Sequence, residues 1–345
     1  MNRYKYVHII TSLESGGAQK ALIDFLSLQS EHVRSRTLVV FLIKKNFYNS
    51  KLSELGVDAI RGAGVKNFYN LVKIIRNKNN VIVSWMYHAS IFTLFKFGVR
   101  KKVVWTIHHG KLDLATDSLS TLLAFFFCAL LSRLIPDEVV YVSNTCKSDH
   151  IKFGFSATNA VVIYNYLKLE KEVEVSQSKR FDVLFVGRAH PNKNVDLFME
   201  FCIKLCAIQN RTKVCVIGAG TERYREFVSD KFKGNFLFLG EVRNTLEYFA
   251  DSRVYVCTSR VESFGLTVVE ALRSGCAVVC PNQPIFHEIA GSEANFFEKY
   301  SADCVLDSYL DLTQPNPKSV EGLLSRFSKE STVRRLTELL NESNF

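Results

Sequence analysis

The chain lacks the marks of several protein classes. Six prolines in 345 residues, no low-complexity tract and no repeat of solenoid period leave an ordinary globular composition, 47% apolar and 23% charged, which argues against disordered and fibrous architectures. None of the nine cysteines forms a Cys-x-x-Cys pair. The spacing of four at Cys202/Cys206 and Cys276/Cys280 invites a metal-site reading, but these residues lie in apolar runs and read as buried, reduced thiols. The start, Met1 to Ile10, runs directly into a strand pattern without an apolar signal core or small-residue cleavage site. The expectation is therefore a cytoplasmic protein. The first strand-to-helix turn carries Gly16-Gly17 rather than a spaced Gly-x-Gly-x-x-Gly, which weakens a dehydrogenase reading.

What is present is a length suited to two domains and an uneven charge. Residues 1–170 carry 22 Lys/Arg against 11 Asp/Glu, a balance of +11, whereas residues 171–345 carry 22 against 23, a balance of −1. A basic half attracts an anionic partner, nucleic acid or a membrane surface. No nucleic-acid module is recognisable and the basic residues are scattered, so the expected partner is an anionic membrane face and not nucleic acid. Leu119 to Ile135 is almost wholly apolar with an internal Arg133. It is marginal for spanning a bilayer. Burial is the favoured reading and dipping into the lipid interface the alternative.

Strand and helix patterns alternate along the first half: strands at 6–10, 38–43, 81–84, 103–107 and 138–142, and helices over 18–28 and around 71–76. Residues 168–180 are charged, lack an apolar face and read as a linker. Alternation then restarts with strands at 181–186, 213–217, 236–239, 254–257 and 277–279, a helix over 196–208, and an amphipathic tail helix over 320–340. The fold class is α/β, two Rossmann-like doubly wound domains. Their expected bounds are 1–168 and 169–324, with a C-terminal helix of about 325–345 able to pack back on the first. Such sheets bind ligands at their strand C-terminal ends, here expected to face across a cleft.

One stretch carries most of the chemistry. After the strand at Val254–Cys257, Glu262 falls in a loop, Gly265 breaks the chain, and Leu266, Val269 and Leu272 follow at helical spacing with Glu270 among them. Amides of Gly265, Leu266 and Thr267 at such a helix start attract anions, phosphate above all. Carboxylate, phosphate cradle and second carboxylate match the sugar, diphosphate and ribose of a nucleotide-sugar. The plainer reading, two solvated charges flanking an ordinary βαβ unit, is weakened by the Phe264-Gly265-Leu266 between them.

Further residues point the same way. Arg188 and Lys193 follow the strand ending at Val186, where cations can hold a diphosphate and offset charge on a leaving phosphate. Ile217-Gly218-Ala219-Gly220 permits close backbone approach. In the first half, Trp85-Met86-Tyr87-His88 and Trp105-Thr106-Ile107-His108-His109-Gly110 place His88 and His108 at strand ends, aimed into the ligand crevice.

Together these residues resemble the family-4 retaining glycosyltransferases of the GT-B fold, which build bacterial surface polysaccharide and lipopolysaccharide. Gly16-Gly17-Ala18 is similar to the family's N-terminal glycine loop, Gly187-Arg188 with Lys193 to its diphosphate-binding pair, and Glu262 through Glu270 to its Glu-x7-Glu signature. The resemblance implies that Glu262 contacts the donor sugar, that Glu270 binds the ribose, that Arg188, Lys193, Gly265, Leu266 and Thr267 hold the diphosphate, and that Gly16 and Gly17 also bind the donor. His108 would lie near the sugar, with His88 as the second candidate. It implies transfer with retention by front-face attack, from a nucleotide-diphosphate sugar to a lipid-linked or lipopolysaccharide acceptor, by an enzyme peripheral to the inner membrane face. No cofactor is implied, and the absence of any Asp-x-Asp in the chain agrees with a metal-independent enzyme. Two departures bear on loop shape: Asn194 stands where the family usually shows glycine, and Pro281-Asn282-Gln283-Pro284 lacks the glycine pair that usually precedes the later glutamate, here Glu288. A sugar-nucleotide epimerase of the same fold and a non-catalytic basic binding protein remain as alternatives.

Overall fold

A computed structural model describes residues 3–14, 16–43, 47–62, 64–99, 101–113, 116–166, 178–242 and 244–340. Most of the expected linker at 168–180 lies outside the described residues. The chain divides into two compact units, Met1–Lys168 with Phe327–Phe345, and Leu169–Arg326.

The first unit opens with β1 (Tyr6–Ile10), α1 (Gly17–Leu28), α2 (Glu31–Arg34), β2 (Thr37–Phe41), α3 (Asn49–Glu54), β3 (Asp58–Arg61) and α4 (Val65–Arg76). It continues through β4 (Val81–Trp85), α5 (Tyr87–Phe92), a 3-10 turn at Thr93–Lys96, β5 (Val103–Ile107), α6 (Leu119–Leu131), β6 (Glu138–Tyr141), α7 (Asn144–Lys152) and β7 (Ala160–Val162). The seven strands form one parallel sheet in the order β3-β2-β1-β4-β5-β6-β7. Helices cover both faces of such a sheet, so its inner strands bury both sides. That is why β2, β4 and β5 read as mainly apolar runs and are buried throughout.

The second unit holds β8 (Phe181–Val186), α8 (Val195–Ile208), β9 (Val214–Ile217), β10 (Phe236–Gly240), α9 (Leu246–Ala250), β11 (Ser252–Val256) and α10 (Leu266–Arg273). After these come β12 (Ala277–Pro281), α11 (Pro284–Ala290), β13 (Asn295–Phe297), α12 (Ala302–Leu310) and α13 (Pro317–Leu324). Its six parallel strands run β10-β9-β8-β11-β12-β13. Phe185, Phe198, Phe201 and Val254 belong to its buried core. Both sheets are doubly wound, and in each the strand order reverses beside the first strand, between β1 and β4 and between β8 and β11.

Three expectations change. The tail is not one helix over 320–340: α13 ends at Leu324, and α14 (Lys329–Leu340) starts afresh after a 3-10 turn. The break lets Phe327 bury edge-on against Tyr164, ring centroids 5.2 Å apart, and Ser328 then caps the new helix by accepting from the Ser331 amide. In the first unit α14 packs on α1, and its Leu339 and Leu340 join the core there. The apolar segment 119–135 is helical only to Leu131, and it is not buried: Ala124, Phe125, Cys128 and Ala129 face inward while the opposite face is exposed. Finally, β3, β7 and β13 were not legible in the sequence, because each is a three- or four-residue edge strand too short to show a period. Among the described residues no helix is long and apolar enough to cross a membrane.

Candidate active site

In the second unit the reversal of strand order makes the connections after β8 and β11 leave in opposite directions, which opens a crevice at their carboxyl ends. The β8 connection carries Gly187 to Asn194 and the β11 connection Cys257 to Gly265, so Arg188, Lys193, Glu262 and the start of α10 gather at one point of one sheet.

Lys193 Nζ donates to Glu262 Oε1 at 2.5 Å, with side chains 25% and 13% exposed. Burial alone pulls the lysine's pKa down, but the Glu262 charge and hydrogen bond outweigh it and hold the ammonium above the ordinary lysine range. The two residues assigned by the sequence to sugar and to diphosphate are therefore direct partners. Arg188 is exposed on the same loop.

The two loops are bolted together by a residue that sequence reasoning missed. Asn192 donates from Nδ2 to Val261 O and accepts from Val261 N at Oδ1, both at 2.9 Å, while Arg260 N donates to Asn192 O at 2.8 Å. Thr258 Oγ1 adds bonds to the Lys193 and Asn194 carbonyls at 2.9 and 3.0 Å. Only the tertiary pairing of β8 with β11 brings these residues together, so no local pattern announced them. Gln283 and Tyr300 brace the same loop from the other side, Gln283 Nε2 donating to Arg260 O and Tyr300 Oη to Ser259 O. The missing glycines before Glu288 are thus replaced by a side chain that holds Arg260.

Asn194 settles the other departure. Its φ of 49° and ψ of 52° are left-handed, the conformation glycine adopts freely and asparagine tolerates best among the rest. The turn is kept although the residue differs. Asn194→Gly should therefore leave stability within about 0.5 kcal/mol, whereas Asn194→Val should cost about 1–2 kcal/mol. Thermal unfolding of both variants decides this; equal losses would show that the backbone conformation is not what selects asparagine.

Gly218 sets the floor of the loop. A Cβ there would lie 2.0 Å from the Gly187 carbonyl oxygen, and the backbone has φ +141°, so only glycine lets β9 support the turn bearing Arg188. Its amide donates to Gly240 O at 2.7 Å.

At the start of α10, Gly265 has φ 80° and no side chain caps the helix. First-turn N–H groups have no carbonyl within a helix to bond, so the Leu266 and Thr267 amides carry the positive end of the helix dipole. Tyr255 Oη donates to Thr267 Oγ1 at 2.8 Å, which leaves that hydroxyl's own hydrogen available to an acceptor. Glu270, one turn on, is 5% exposed. The reading of Glu270 as a solvated surface charge does not hold.

In the first unit the corresponding connections follow β1, β4 and β5. Gly16 and Gly17 form the N-cap and first residue of α1. His108 directly follows β5, partly buried and stacked on Trp85 at 5.2 Å and 21°, and desolvation lowers its pKa to about 3, so it is neutral near pH 7. His88 is not at a strand end: β4 stops at Trp85 and His88 lies in the first turn of α5. The turn between them is made by Met86 at φ 71°, a conformation with no sequence signal for a non-glycine residue. The Met86 thioether in turn accepts from the His108 amide at 3.4 Å. Among the described residues no three His, Cys, Asp or Glu side chains cluster in a metal-binding group, and all nine cysteines are free thiols, eight of them buried.

Two doubly wound parallel α/β units in one chain, with charged loops at a switch point, define a class that comparison with known proteins makes specific. Residues 168–314 match the family described as glycosyl transferases group 1. The chain is 24% identical, over 99% of its length and 90% of the relative's, to the Campylobacter jejuni protein named GalNAc-alpha-(1->4)-GalNAc-alpha-(1->3)-diNAcBac-PP-undecaprenol alpha-1,4-N-acetyl-D-galactosaminyltransferase. It is 27% identical to the O-antigen chain mannosyltransferase RfbU of Salmonella typhimurium, over 64% of this chain and 67% of that one. The crystal structure of Anabaena Alr3699/HepE in complex with UDP and glucose shares the fold, with a TM-score of 0.77 and 16% identity over 98% of this chain and 99% of that one. The protein is a glycosyltransferase with a glycosyl transferases group 1 domain at residues 168–314 and the two-unit GT-B fold.

Proposed function

We propose that this enzyme transfers a sugar with retention of configuration, without a metal ion, from a nucleoside-diphosphate donor to a lipid-linked or lipopolysaccharide-type acceptor at the inner membrane face. The observation that carries the reading is the Lys193–Glu262 pair set beside the uncapped start of α10 at the β8/β11 switch point. A carboxylate, an ammonium and a run of amides there offer an acceptor for sugar hydroxyls and donors for two phosphates. The relative named for an undecaprenol-linked glycan and the solved structure with UDP support the acceptor and donor classes.

In this reading Glu262 accepts hydrogen bonds from the donor sugar. Arg188, Lys193 and the Gly265, Leu266 and Thr267 amides hold the diphosphate, and Glu270 takes the ribose. Gly16, Gly17 and neutral His108 are the first unit's contribution, with His88 as the secondary candidate. The bond from the anomeric carbon to the phosphate oxygen breaks as the acceptor oxygen bonds to that carbon on the same face. The acceptor's proton passes to the departing phosphate, so the products are a glycoside and a nucleoside diphosphate. Lys193, Arg188 and the helix end stabilise the charge growing on that phosphate, the task a cation performs elsewhere.

The test is a screen of radiolabelled nucleotide-sugars against membrane extracts, with EDTA present and absent. Transfer of label should survive EDTA and fall at least about 100-fold in Glu262→Ala. Full activity in that variant, or strict metal dependence, sinks the mechanism. Release of nucleotide without transfer of label would favour an epimerase instead.

A further inference from the structure

We infer that one helical layer of the first unit, built from α4, the Thr93–Lys96 turn, α5 and α6, is a docking face that seats the enzyme on an anionic lipid bilayer, with α6 lying in the interface. The inference extends the membrane placement proposed above by naming the surface, and it stands on observations independent of the active site.

The layer follows from topology. The connections β3 to β4, β4 to β5 and β5 to β6 all advance the same way across the sheet, so right-handed crossovers place α4, α5 and α6 on one face. The packing of α4 and α5 on the Thr93–Lys96 turn, and of α6 on α5, agrees. The connections β1 to β2 and β2 to β3 run the opposite way, which puts α1 and α3 on the other face.

Two features of this layer have no partner in the unit's own core. On α6 and just beyond it, Leu119, Leu123, Phe126, Phe127, Leu130 and Leu134 are 42–71% exposed. Their spacing of three and four keeps them on one side, opposite the buried Phe125 and Cys128. The thirteen residues of α6 include no charge. Scattered exposed apolar residues are ordinary, but a continuous stripe of large ones marks an interaction surface.

Beside it, the chain from residue 59 to residue 112 contains ten Lys/Arg and no Asp or Glu; Lys101 and Lys102 are buried and Lys96 pairs with Asp137, while Lys73, Arg76 and Lys78 are exposed. Tyr69, Lys73 and Arg76 lie along one exposed side of α4, with Tyr69 70% exposed. Phe97, 71% exposed, ends the neighbouring turn, whose Phe95 and Phe97 carbonyls accept from Arg76. An apolar helix flanked by aromatic and basic residues is how an interfacial element meets lipid: hydrocarbon below, headgroup phosphates at the rim. A second copy of the chain is the poorer occupant, because a twofold contact through this layer would bring the exposed Lys73 and Arg76 of the two copies close together.

The experiment uses the full chain and vesicles of phosphatidylcholine with or without phosphatidylglycerol, read by sedimentation at low and high salt. The protein should pellet with the anionic vesicles and be released by salt. Leu123→Gln/Phe126→Gln should lower binding at least about tenfold on the basis of lost apolar burial. Lys73→Gln/Arg76→Gln should lower it about tenfold and reduce the preference for anionic lipid. Both double variants should keep the tryptophan emission of the folded chain and release nucleotide from the donor at the parental rate, so a failure here is separable from a failure of the glycosyl-transfer reading. Absence of binding to anionic vesicles, unchanged binding by both variants, or a concentration-dependent dimer that the α6 substitutions dissolve would overturn the inference.

Discussion

Lys193→Met is expected to slow sugar transfer by about two to three orders of magnitude, the usual consequence of removing one pre-placed donor to developing negative charge. The side chain matters twice. Its ammonium neutralises Glu262, whose side chain is 13% exposed. Methionine leaves that carboxylate partly buried and unpaired, which should cost about 2–3 kcal/mol of stability, somewhat below the range for a fully buried pair. In the proposed reaction the same ammonium opposes charge on the leaving phosphate. A double variant separates the two roles. Lys193→Met/Glu262→Gln removes both charges, so its urea midpoint should return towards that of the parent while its transfer rate stays low. A double variant as unstable as Lys193→Met alone would mean that the ion pair is not what the substitution broke, and an unimpaired Lys193→Met would remove the lysine from the proposed chemistry.

The first unit should lose stability steeply on mild acidification, well before carboxylates protonate. Burial lowers the pKa of His8 to about 3, of His108 to about 3 and of His150 to about 4. All three lie in that unit. In the unfolded chain these residues titrate near 6.5, so between that value and the folded pKa the unfolded state binds more protons. The contribution of neutral, buried imidazoles is complete above pH 6.5 and is lost as pH falls towards 4 for His150 and towards 3 for His8 and His108. At pH 5, His8 and His150, each 1% exposed, should together remove about 4 kcal/mol, a large share of a typical domain's 5–15 kcal/mol.

The structure supplies a local reporter for this effect. Both tryptophans of the chain, Trp85 and Trp105, are buried in the first unit. Trp85 Nε1 donates to His8 Nδ1 at 3.0 Å, and its ring stacks on His108. Urea unfolding followed by tryptophan emission should show a midpoint that falls sharply from pH 7 to pH 5, and His8→Leu should flatten the fall. A midpoint that does not move over that range would contradict neutral burial of these histidines. The His150 ring is held by Tyr87 Oη at 2.6 Å and the Cys146 carbonyl at 2.7 Å, so protonation there disturbs a packed aromatic cluster rather than a surface.

Much of the second unit's site could be read without coordinates. Strand, loop, Gly265 and helix are contiguous in sequence, and the anion-binding character of a helix start is a local property of the backbone. The inner strands of both sheets were also legible, because burial on two faces leaves a mainly apolar run, as in Val103–Ile107 and Val183–Val186. The shortest edge strands, β3, β7 and β13, were not, since three or four residues leave no pattern.

Three matters waited for the tertiary structure. The meeting of Lys193 with Glu262 and the role of Asn192 depend on β8 pairing with β11, across 69 residues of chain, and no local rule encodes such a contact. Whether Asn194 spoils or preserves its turn depends on φ and ψ, which a residue tolerant of both hands does not declare. The apolar segment at 119–135 could be read for composition but not for exposure. Its residues are hydrophobic on every side, so periodicity carries no orientation, and only packing against α5 decides which side faces outward. Sequence alone determined the class of fold, because strand and helix patterns are short-range, and it pointed to glycosyl transfer through motifs that resemble a known family. The partners of each charged side chain and the surface left uncovered were decided by long-range packing.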